Sequence, residues 1–104
     1  MTMLDESNIV PLRIMVVIGT RPEAIKLAPL ILEILSSPHL EVFVCVTGQH
    51  DELLSGVLER FGIKAGINLR LMVPNQDLAR FSSRCIESLS QVMTAEDPDL
   101  VIVH

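Results

Sequence analysis

The stretch "VVIGTRPEAIKLAPL", residues 16–30, decides how the chain folds. It runs from aliphatic residues through a single glycine, Gly19, into a segment with helical periodicity. Residues 13–19 form a short apolar run that ends on that glycine, the pattern of a strand buried on both faces. Helix signals follow at once: Thr20 and Glu23 have the spacing of a capping box, and Pro22 falls in the first turn, where a missing N–H costs little. Ala24, Leu27, Ala28, Ile31 and Leu35 recur every three or four residues and predict one buried stripe. Pro29 interrupts it, removing the bond to the carbonyl of Ile25 and predicting a kink or a weakly bonded turn.

Outward from this unit the alternation repeats. "SSPHLE" predicts a turn, residues 42–47 ("VFVCVT") a second buried strand, and Gly48-Gln49-His50 the loop after it. A helix is expected over 51–61, with Leu53, Leu54, Val57, Leu58 and Phe61 on one face, then a short strand near 68–72 and the turn "VPNQD". A third helix over 78–96 presents Leu78, Phe81, Cys85, Leu89, Val92 and Met93. Pro98 stops it, and "DLVIVH" begins a fourth strand. Right-handed crossovers turn this order into a Rossmann-like α/β fold: a parallel sheet in the order 3-2-1-4 with helices on both faces. Strands 1 and 4 then flank the topological switch point, where ligands meet the carboxyl ends of strands. The loops placed there are 19–21, 48–50 and whatever follows His104. Residues 1–12 are expected to be a flexible leader, and 13–104 the first half of a larger Rossmann-like domain.

At 104 residues and 49% hydrophobic, without Trp or Tyr, the chain predicts one small domain with an aliphatic core. A formal charge of −5 argues against a general nucleic-acid binder, which needs clustered Lys and Arg, but leaves room for one small anion held by local cations. No segment approaches the ~20 apolar residues of a membrane span, and "MTMLDESNIVPL" does not have the form of a signal peptide. A cytoplasmic location is expected, with Cys45 and Cys85 as reduced, buried thiols. Glu33, Glu41, Asp51, Glu52 and Glu59 are expected on solvated faces, as is His39. No His/Cys/Asp/Glu set has metal spacing, and no nucleophile–base pair stands out.

The loop at Gly19 lacks both G-x-G-x-x-G and G-x-x-x-x-G-K-[ST], which disfavours NAD and Walker-type ATP binding. The helix N-terminus still offers N–H groups and a positive dipole end to an anion. Arg21 stands at that end, where a cation is unfavourable by ~0.3–1 kcal/mol. An anion between the two explains it, since the guanidinium fork can hold phosphate or carboxylate through two bonds. Lys26 can add a second charge from the flank. The plainer alternative is a solvated Arg21 and an ordinary surface Lys26. Gln49 and His50 are ligand candidates at the end of strand 2, against a loop histidine bonded to backbone.

Together, "GTRPEAIKLAPL", "VCVTGQH" and "DPDLVIVH" resemble, in order, the N-terminal portion of the bacterial non-hydrolysing UDP-N-acetylglucosamine 2-epimerases. The resemblance implies a glycosyltransferase-B-type architecture of two Rossmann-like domains, usually a homodimer, that interconverts UDP-N-acetylglucosamine and UDP-N-acetylmannosamine for polysaccharide biosynthesis. The reaction eliminates UDP to leave a 2-acetamidoglucal and adds it back, with no redox cofactor or metal. The resemblance makes Arg21 a catalytic and substrate-binding residue beside the diphosphate and puts Lys26 close to the same site. Gln49 and His50 match a pair that contacts a second UDP-N-acetylglucosamine acting as activator. His104 matches the first residue of an H-G-D motif whose aspartate is catalytic and lies beyond this chain. Asp51 and Glu52 depart from the family pattern around the activator, where two acids repel a polyanion, and Asn75 stands near where some members carry an arginine. The chain alone is expected to be inactive, since half a cleft cannot hold a transition state. The alternatives are a non-catalytic, anion-binding or dimerising half-Rossmann module, and a related B-type glycosyltransferase.

Overall fold

A computed structural model describes residues 10–48 and 51–104. Four parallel strands alternate with three helices: β1 (Leu12–Ile18), α1 (Arg21–Leu35), β2 (Leu40–Val46), α2 (Asp51–Arg60), β3 (Ile67–Asn68), α3 (Leu78–Glu96) and β4 (Leu100–Ile102). The sheet order is β3-β2-β1-β4, as the alternation predicts. In register, Leu12 lies opposite Leu40 and Ile18 opposite Val46, while Ile14 faces Leu100. Residues 1–9 of the expected leader lie outside the described residues, and its last residue, Leu12, is the first of β1.

Side chains of β1 alternate between two layers, as the pleat requires. Ile14, Val16 and Ile18, with Val44 and Val46, pack under Ala24, Leu27, Ala28, Ile31 and Ile34 of α1 and Leu54 and Leu58 of α2. Met15, Val17 and Cys45 face the other way, toward Leu89 and Val92 of α3. The α1 stripe ends on Ile34, 5% exposed, and not on Leu35, 56% exposed. A step of three from Ile31 keeps the side chain on the sheet, whereas a step of four at the helix end carries it past. Phe61 lies outside the second helix, more exposed than its place on the stripe implies. On α3, Leu78 is 78% exposed and no residue is fully buried: Phe81, Cys85, Leu89 and Val92 of the stripe are half-covered, while Leu78 and Met93 at its ends are exposed.

Helix α1 runs unbroken through Pro29. The third strand is shorter and earlier than 68–72. Leu69 and Leu71 still donate N–H bonds to the carbonyls of Val46 and Thr47, both at 2.9 Å, but Arg70 between them is left-handed at φ 53. The side chain of Asn68 imposes that turn by accepting the Arg70 N–H at 2.9 Å. At the opposite end of the sheet, Arg13 joins β1 to the α3–β4 junction. Its guanidinium donates to the Glu96 carbonyl and carboxylate at 2.9 and 2.8 Å, its N–H donates to Asp99 at 2.8 Å, and it lies 4.7 Å over Phe43.

Candidate nucleotide-sugar site

The carboxyl ends of β1, β2 and β4 meet at the switch point, around an open cleft of about 190 Å³. Gly19, Glu23, Thr47, Phe81 and His104 line it. Each comes from a different part of the fold: the turn after β1, the first turn of α1, the end of β2, α3, and the residues after β4. Parallel pairing of the strands, with α1 and α3 packed over their ends, brings them together.

The turn between β1 and α1 is closed by Glu23. Its Oε2 accepts the N–H groups of Gly19 at 2.6 Å and Thr20 at 3.1 Å, the Glu half of the capping box. The bond to Thr20 is the one that the capping-box spacing predicts; the bond to Gly19 adds a second turn amide to the same carboxylate oxygen. Gly19 does not supply a left-handed turn. Among the described residues the positive-φ glycines are Gly48 and Gly62.

Arg21 is the first residue of α1, exposed, with no hydrogen bond or ion pair to any described residue. Lys26 is likewise exposed, farther along the helix. Neither is among the residues that line the cleft. His104 does line it, as its place after β4 implies. Gln49, His50 and the side chains of Asp51 and Glu52 lie outside the described residues. Asn75 lies elsewhere, left-handed at φ 62, in an open groove of about 480 Å³ beside the β3–α3 loop. Arg84 in that groove is held by the Gln76 side chain at 2.9 Å.

Two lining residues escape sequence reasoning. Thr47 is 5% exposed, and its hydroxyl has no hydrogen-bond partner among the described residues. Its only sequence signal is a hydroxyl at the last position of an apolar run. Phe81 reads as an ordinary member of the α3 stripe, and only the crossing of α3 over the sheet end brings it to the cleft. Among the described residues, no group of three or more His, Cys, Asp or Glu side chains is placed to hold a metal ion. No helix among them is long and apolar enough to cross a membrane.

The family model for UDP-N-acetylglucosamine 2-epimerase matches residues 32–104. The chain belongs to the UDP-N-acetylglucosamine 2-epimerase family. The Neisseria meningitidis UDP-N-acetylglucosamine 2-epimerase is 45% identical over 93 residues, which are 89% of this chain and 25% of the relative. The solved epimerase from Neisseria meningitidis bound to UDP-GlcNAc superposes with a TM-score of 0.84 at 46% identity, covering 88% of this chain and 25% of that one. The S. aureus MnaA-UDP co-structure gives a TM-score of 0.83 at 46% identity, over 88% and 24%. The chain thus spans about a quarter of the length of the epimerases it matches. The matches cover the four-stranded sheet and its switch point, so the parallel order read from the alternation is the epimerase order.

Proposed function

We propose that the chain forms one wall of a UDP-sugar cleft in an enzyme that interconverts UDP-N-acetylglucosamine and UDP-N-acetylmannosamine. The observation that carries this is Arg21: an exposed guanidinium beside the switch-point cleft with no partner among the described residues, in a chain 46% identical to a solved relative described as bound to UDP-GlcNAc. In this reaction the C2 proton leaves and the C1–O bond breaks, giving 2-acetamidoglucal and UDP. UDP then returns to C1 while C2 takes a proton on its opposite face. The sugar's oxidation state is unchanged over the cycle.

Negative charge grows on the departing UDP, and a guanidinium at the rim stabilises it most where it is greatest, in the transition state. Arg21 holds that position, with Lys26 adding a second charge from α1. Gln49 and His50 belong to the same proposal as contacts to a second UDP-N-acetylglucosamine, and His104 as the approach to the catalytic aspartate. So do the homodimer, the cytoplasmic location, and the assignment of residues 13–104 to the first half of the N-terminal of two Rossmann-like domains.

The test uses an enzyme of the relatives' length carrying this sequence. In D₂O with UDP-N-acetylglucosamine, proton NMR should show deuterium entering C2 and an N-acetylmannosamine signal growing in. Arg21→Ala should lower turnover by roughly 10²- to 10³-fold, the usual loss for one charge-stabilising donor, with the circular dichroism unchanged. Near-normal turnover in that variant would remove Arg21 from the chemistry.

A further inference from the structure

A strand-to-helix turn ordinarily presents its N–H groups to a phosphate, because the unbonded donors and the helix dipole both favour negative charge. Here two of the turn donors, the N–H groups of Gly19 and Thr20, are occupied from within. Glu23 places Oε2 2.6 Å from the Gly19 nitrogen and 3.1 Å from the Thr20 nitrogen, and its side chain is half-buried in the wall of the cleft. Among the described residues, the other polar side chains lining the cleft are Thr47, whose buried hydroxyl has no partner there, and His104, and no lysine or arginine lines it. The two cations nearest in sequence, Arg21 and Lys26, are exposed on α1 outside it.

We propose that Glu23 is a resident anion that bars phosphate from the β1–α1 turn and hands it to the side chain of Arg21. A phosphate at the Gly19 and Thr20 amides would meet a carboxylate on the same two donors, and two anions cannot share that seat without strong repulsion. Phosphate outside it meets instead a guanidinium fork that no described residue engages. The floor, with a carboxylate and a hydroxyl, suits the uncharged part of the ligand, whose hydroxyl and amide groups both donate and accept. Glu23 therefore sorts the ligand by charge: diphosphate outward over α1, sugar inward over the strand ends. The inference rests on Arg21 as the diphosphate-binding cation.

The experiment titrates inorganic pyrophosphate into the 104-residue chain and follows the amide resonances of Gly19, Thr20 and Arg21. In the unaltered chain Arg21 should shift while Gly19 and Thr20 stay in place. In Glu23→Ala the response should move onto Gly19 and Thr20, and pyrophosphate should bind roughly two- to fivefold tighter, as expected for removing an adverse charge at a helix N-terminus. A carboxylate that merely braces the turn predicts the opposite sign, weaker binding. Glu23→Gln keeps a side-chain acceptor for the turn and removes only the charge, so a smaller gain there decides the matter should the alanine variant fail to fold. Unchanged or weaker binding in both variants overturns the proposal. So does a shift of Gly19 and Thr20 in the unaltered chain that matches the alanine variant. Arg21→Ala is titrated alongside: pyrophosphate binding equal to the unaltered chain would defeat the role of Arg21, while the sign of the Glu23 effect still judges Glu23.

Discussion

At the scale of single residues, Gly48 shows most sharply what close approach demands. Its φ is +88, and a Cβ there would lie 2.7 Å from Cα of Arg70 and 2.8 Å from its nitrogen, so only backbone could yield. Gly48→Ala therefore combines left-handed strain with a backbone collision, and should destabilise the chain by about 2 kcal/mol or more in urea unfolding. A loss below about 0.5 kcal/mol would mean that the two loops separate freely. The sequence marks Gly48 as the glycine after a strand, but it does not mark Arg70 as the neighbour, because the approach joins two loops through parallel strand pairing. Arg21 and Glu23 were more legible, since a capping box and a cation against a helix dipole are local patterns. The destination of the Glu23 carboxylate was only half legible: the bond to Thr20 follows from the spacing, whereas the bond to Gly19 depends on how tightly the turn closes.

At the scale of elements, α1 carries a proline that its packing does not require. Pro29 is exposed in mid-helix, between the buried Ala28 and Ile31, and has no N–H for the Ile25 carbonyl. Alanine there restores the bond, removes the ring's clash with the preceding turn and leaves no cavity. Pro29→Ala should raise stability by about 1–3 kcal/mol, read as a higher urea midpoint at unchanged slope. A lower midpoint would show that the proline's fixed φ is worth more to α1 than the missing bond. Element boundaries were legible where a cap announces them. The span of α3 follows from Asp77, which accepts the Arg80 N–H at 2.7 Å, and from left-handed Asp97 just before Pro98. The end of β3 was not, because the residues after Asn68 keep their bonds to β2 while Arg70 turns left-handed. Hydrophobic patterning registers the bonds and misses the turn.

Across the whole molecule the two faces of the sheet are covered unequally. Helices α1 and α2 bury one face, while α3 alone covers the other with no fully buried residue, and Leu78 and Ile86 point away from it. The 3-2-1-4 order could be read from alternation and crossover handedness, but this asymmetry could not, since the apolar stripe of α3 looks as complete as that of α1. Few buried contacts imply that α3 opens at lower free energy than the rest. Cys45 reports the opening: it is fully buried beneath α3, and burial, with the Cys85 thiol nearby, pushes its pKa up to about 11. A closed α3 therefore leaves little reactive thiolate at neutral pH. In a Cys85→Ser background, a thiol reagent should label Cys45 faster than global unfolding allows, with a rate that rises only weakly with urea because little surface is exposed. Labelling that tracks global unfolding, with its full urea dependence, would make α3 part of one cooperative unit. Local opening has a consequence for the cleft, because α3 carries Phe81 into its wall. A ligand that binds only the closed form must then slow Cys45 labelling by the factor 1 + [L]/Kd. Protection by UDP under these conditions would tie occupancy of the switch point to the docking of α3.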